Sequence, residues 1–268
     1  MTLQLDGSVE RILEEVRLLT GKEVEFIERR DMQVYAGVKM ARSSMPAHLM
    51  LYKPEHTGII NHLVAHECGH VLRMFGVPDK KRLVPMTNQA MKMAGLQTIE
   101  GEIHELSRVM PFEGLAKIVN LWFDGTVRQL TNFPSDIRIE LWLHNDYPGL
   151  SSYQAKSLHK QHEEALEGLT ARVAKITPRT ILEASNTMNY AFFSVLARSL
   201  GDPVLFKRYE DSRYGRKGRE LVALWESCPN DYGGDIEVVR KWADCLGLSS
   251  WFGWTKFEEI PGDYLNVV

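Results

Sequence analysis

The chain has 268 residues, with 32 basic and 35 acidic side chains for a formal charge of -3, 44% hydrophobic residues and 25% charged ones. This is the composition of a folded globular protein, which excludes disordered and fibrous classes. The charge balance argues against a general nucleic-acid partner, leaving only local basic clusters such as KKR at 80–82 and RYEDSRYGRKGR at 208–219.

Three widely spaced cysteines, Cys68, Cys228 and Cys245, make neither a disulfide framework nor a four-cysteine metal site. The N-terminal stretch lacks a basic region followed by an apolar run, and no stretch approaches the ~18 apolar residues of a membrane span. The expectation is a cytoplasmic protein with no membrane partner.

Along the chain, residues 8–19 place Val9, Ile12, Leu13, Val16 and Leu19 at helical spacing, with Ser8 as a candidate cap and Gly21 as the stop. Short strands are expected at 24–28, 33–41 and 48–53. A long helix then runs from about His56 to Phe75, ended by Gly76-Val77-Pro78. Residues 79–96 read as a loop or short helix, and 97–109 and 113–130 as helical. Pro134-Ser135-Asp136 is expected to open a new helix that Pro148-Gly149 closes. Beyond Leu150 the periodicity is almost entirely helical. The pattern is α+β: an N-terminal helix and a small mixed or antiparallel sheet packed on the 56–75 helix, with a mostly helical C-terminal half. The boundary is placed at 150, giving a core of 1–150 and a helical extension of 151–268.

The 56–75 helix contains His66-Glu67-Cys68-Gly69-His70, a complete H-E-x-x-H motif. Residues four apart on a helix share a face, so His66 and His70 can reach one ion. Glu67, turned by about 100° around the axis, can lean over an open coordination position and serve as general base. Zinc is the expected ion, with a third protein ligand still to be found. Small Gly69 permits close approach of a backbone or substrate. His62, one turn earlier, extends the ladder and is expected to support the site or the fold rather than ligate. Cys68 is expected to be buried packing.

This arrangement resembles the zincin superfamily of metallopeptidases, over about residues 20–145. Residues 71–76, VLRMFG, supply no third histidine, so the chain looks more like the glutamate-ligand branch, the gluzincins. It is similar in outline to the IrrE/ImmA-like peptidases of bacteria and phages, which also begin with a helix and a short sheet. The resemblance implies a zinc-dependent peptidase acting on a protein or peptide, with a downstream glutamate as third ligand.

Three places can supply that ligand. In 135–144, Asp136, Glu140 and His144 share one face of an otherwise apolar helix, and a charge there needs a partner, which favours Glu140. Asp136 would then hold the outer nitrogen of a ligating histidine, in reversed order relative to gluzincins. The alternatives are Glu105, in EGEIHE at 100–105, and HKQHEE at 159–164, which reads as an amphipathic surface. Donors for a developing oxyanion are sought in His144, Tyr147 and Tyr190, with His144 and Tyr147 preferred because they follow the ligand helix. The competing function class is a zinc-stabilised binding or regulatory protein without catalysis. Glu67 separates the two, since a structural zinc has no need of a base beside its histidines.

Overall fold

A computed structural model describes residues 3–108 and 111–260. Helix α1 (Gly7–Thr20) is capped by the Asp6 carboxylate, which accepts the Ser8 N–H, and ends at Gly21 with φ 69°. Ser8 therefore lies inside the first turn and is not the cap. A left-handed residue is needed at that stop, and glycine meets no steric penalty there. Val9, Ile12 and Val16 are buried, whereas Leu19 is exposed. The Asp6 N–H donates to Asn61 Oδ1 at 2.8 Å, tying α1 to the helix that carries the motif.

Strands β1 (Glu23–Glu28), β2 (Ala36–Lys39) and β3 (Ala47–Tyr52) form a mixed sheet in the order β1-β3-β2. β3 is central, parallel to β1 and antiparallel to β2, with Val38 opposite Met50. β2 is thus an edge, and it lies on the side of helix α2 (Ile60–Phe75). A short 3-10 segment, Pro54–Ile59, precedes α2 and accounts for the expected start near His56.

The chain continues through β4 (Leu83–Met86), α3 (Gln89–Thr98), α4 (Glu100–Ser107) and α5 (Phe112–Asp146). The expected break at Pro134 does not occur: α5 is one 35-residue helix with Pro134 inside it. Proline removes one helical donor and crowds the preceding turn, a cost of about 3 kcal/mol that surrounding packing must offset. The Ser135 hydroxyl bonds the Asn132 carbonyl at 2.8 Å, and the Pro134 carbonyl accepts the Trp225 indole N–H at 2.9 Å. Helices α6 (Ser151–Leu166), α7 (Ala171–Ile176), α8 (Arg179–Leu200), α9 (Gly215–Glu226) and α10 (Tyr232–Leu246) follow, then the four-residue strand β5 (Gly253–Lys256). Among the described residues, the C-terminal half is helical apart from that strand, and the fold class is α+β, zincin-like.

The chain divides into two compact units, each discontinuous in sequence. One comprises residues up to Val84, Arg138–Lys160 and the segment from Thr255. The other comprises Pro85–Ile137 and Gln161–Trp254. The first holds α1, the sheet, α2 and the last two turns of α5. Its C-terminal segment is joined to it by the Phe257 N–H on the Arg82 carbonyl (2.9 Å) and by an edge-on contact of Phe257 with Phe75. The second is built around α8, whose Phe192 and Phe193 are fully buried, and includes the stacked pair Phe123 and Trp251. Among the described residues, no helix is long and apolar enough to cross a membrane.

Candidate metal centre

α2 presents His62, His66 and His70 at successive turns. The His62 and His66 ring centroids are 5.9 Å apart, and those of His66 and His70 are 5.1 Å apart. This ladder follows from i,i+4 spacing alone. α2 is apolar on most of its surface, with Leu63, Val64, Ala65, Cys68 and Val71 buried, which fixes its rotation. Burial, and then the charge of Glu67, push the Cys68 thiol above its ordinary range, so it remains a protonated packing group.

α5 approaches α2 at Gly69. A Cβ built on Gly69 would lie 2.7 Å from Cγ2 of Ile139, closer than side chains tolerate, so the missing side chain is what lets this part of α5 come so near. The next residue, Glu140, is thereby delivered to the histidines. Its Oε1 lies 2.8 Å from Nδ1 of His66 and 2.9 Å from Nε2 of His62, and its Oε2 lies 3.0 Å from that Nε2. Both His62 and Glu140 are 1% exposed. Burial alone would raise the Glu140 pKa, but the positive field of His62 and the hydrogen bonds from His62 and His66 prevail and hold it well below the usual carboxylate range.

His62, His66 and Glu140 offer ligand atoms that all lie within 4.8 Å of one another, a buried group able to hold a metal ion. The donor set, two imidazoles and a carboxylate, suits a borderline ion such as zinc. The structure therefore brings together His66 and Glu140 of the residues singled out from the sequence, with His62 completing this trio. His70 adjoins His66 edge-on.

Glu67 is buried, and its Oε2 accepts the Val38 N–H of β2 at 3.2 Å. The candidate base is thus fixed at the sheet edge. His144 is half-buried, one turn beyond Glu140 on α5. Tyr147 is buried, but its hydroxyl donates to exposed Glu15 of α1 at 2.5 Å, and its ring is stacked edge-on with Trp142. Its phenol is pushed above its ordinary pKa by burial and by Glu15. Neither belongs to a metal-competent group among the described residues.

The alternative ligands have ordinary structural explanations. Glu105 and His104 are exposed, and Glu102 caps α8 by accepting the Thr180 N–H and hydroxyl at 2.9 and 2.7 Å. His162 is a buried aromatic neighbour of Phe193, and Tyr190 accepts from Arg219 at 3.3 Å within the core around α8.

One participant had no sequence signal. Gln154, near the start of α6, is buried and donates its side-chain amide to Glu140 twice, to Oε2 at 2.6 Å and to the backbone carbonyl at 2.9 Å. A lone glutamine in a polar helix does not advertise such a contact. No family model, curated protein or solved structure matches this chain.

Proposed function

We propose that the protein is a zinc-dependent peptidase in which His66 and His70 bind the ion and Glu67 is the general base. The observation that carries this reading is the position of Glu67, adjacent in sequence to a metal-competent histidine and anchored at the edge strand β2. A bound divalent ion would supply a Lewis acid and an acidified water. Glu67 would take the proton of the attacking water and return it to the leaving amine. β2 is an edge strand, so a peptide added alongside it would pass beside Glu67, which accepts the Val38 N–H there. That placement favours a peptide bond over other hydrolysable groups. His144, one turn beyond Glu140, is the proposed source of oxyanion stabilisation, since the Tyr147 hydroxyl is engaged by Glu15.

A second reading is supported by the nearly complete burial of His62 and Glu140, which suits a closed structural zinc site in a binding protein. Glu67→Gln separates the two. The peptidase reading predicts that this variant keeps its fold and zinc but loses cleavage of an unfolded protein such as casein by at least ~100-fold. Equal cleavage by Glu67→Gln and native protein would reject Glu67 as the base, and no cleavage by zinc-loaded native protein over a broad peptide library would leave the non-catalytic reading.

A further inference from the structure

We propose that Gln154 is a positioning residue of the metal centre, acting through Glu140 on His66, and that Glu140 orients His66 instead of ligating the ion. The inference rests on the metal-site reading above and assigns roles within it.

A carboxylate has a limited accepting capacity. Two oxygens offer about four acceptor sites. Oε1 of Glu140 faces Nδ1 of His66 and Nε2 of His62, and Oε2 faces the same His62 nitrogen and Nε2 of Gln154. A carboxylate only accepts, so both rings and the amide are the donors in these contacts. The separations of 2.6 to 3.0 Å are those of charge-assisted hydrogen bonds. Three donors on two oxygens leave little room for a direct bond to a metal.

The tautomers then follow. Donation from Nδ1 makes His66 present Nε2 on the opposite edge of its ring, the orientation in which a carboxylate–imidazole pair strengthens a metal bond. His62 donates through Nε2, and its buried Nδ1 has no hydrogen-bond partner among the described residues. His62 therefore serves as a second anchor for Glu140.

Gln154 closes the arrangement. Its amide nitrogen has two hydrogens and directs them to the side chain and the backbone carbonyl of the same residue, Glu140. This clamps the carboxylate relative to its own helix and leaves it little rotational freedom. Sub-ångström looseness in a supporting group degrades a ligand's alignment, so a distant amide can govern affinity without touching the ion.

The test is zinc affinity by competition with a chromophoric chelator, together with the d–d absorption of the cobalt-substituted protein and the nitrogen-15 spectrum of its zinc form. Gln154→Leu and the equally long Gln154→Met are expected to weaken zinc binding about 10–100-fold and to alter the cobalt spectrum. Asn61→Ala, which removes a partly buried hydrogen bond on α2, is the control and is expected to lower stability while leaving both readouts unchanged. In the native zinc form, His66 should carry its proton on Nδ1. Two folded Gln154 variants with native affinity and cobalt spectrum, or zinc on Nδ1 of His66, would overturn the proposal while the metal site stands. If native protein binds no zinc, the metal-site reading and this proposal fall together.

Discussion

Glu140 illustrates how a single side chain can be found from sequence while the atoms that surround it are not. An acidic residue on a helix rich in Ile137, Ile139, Trp142 and Leu143 needs a partner, and that argument led to the histidines, where the carboxylate lies. What the pattern could not show was which atoms face it, because that depends on Gln154 and on ring orientation. The orienting role predicts that Glu140→Gln, which keeps shape but loses charge, weakens zinc binding about 10–100-fold without abolishing it. Asp136→Asn, one turn earlier on the same helix, is the comparison variant. Complete loss of zinc with Glu140→Gln and none with Asp136→Asn would return Glu140 to direct ligation. His48 gives a second residue-scale prediction. It is fully buried on β3, accepts the Ala41 N–H on Nδ1 at 2.9 Å and donates to Thr20 at 3.1 Å, so protonation would break a bond. Burial, followed by the charge of Lys22, lowers its pKa from 6.5 to about 4. The unfolded chain binds this proton below about pH 6.5 while the native state resists it until about pH 4, so stability falls as pH drops through that window. Replacing His48 by Gln should remove on the order of 2 kcal/mol from the change in unfolding free energy between those pH values, read by denaturant titration.

At the scale of elements, α2 was legible because its start, stop and periodicity are local. The meeting of α2 with α5 was only half legible. Gly69 signalled a close approach, but Ile139 as the neighbour depends on tertiary packing. Gly69→Ala should destabilise the protein by about 1–3 kcal/mol and weaken metal binding as well, because the added carbon pushes against Ile139 and hence shifts Glu140. Chemical denaturation and zinc titration of the variant check this together; an unaffected zinc affinity would uncouple the helix approach from the site. α5 itself shows where local signals mislead. Pro134 reads as a helix start, yet the helix passes through it, because packing outweighs the loss of a hydrogen bond with the Leu130 carbonyl. Pro134→Ala is expected to raise stability by about 1–3 kcal/mol in a denaturant titration.

At the scale of the molecule, composition and periodicity indicated an α+β chain with a helical second half, and that much is present. The partition into discontinuous units was hidden, since sequence carries no marker where α5 and α6 pass from one unit to the other at Ile137 and Lys160. Gln154 and the Phe257 segment both belong to the unit that holds the motif, although they follow residue 150. The proposed function requires that this unit bind zinc through α2. Metal analysis of purified native protein and of the folded His66→Ala/His70→Ala double variant tests it directly. The expected result is one equivalent of zinc in the native protein and none in the variant; equal zinc retention in the two would rule the site out.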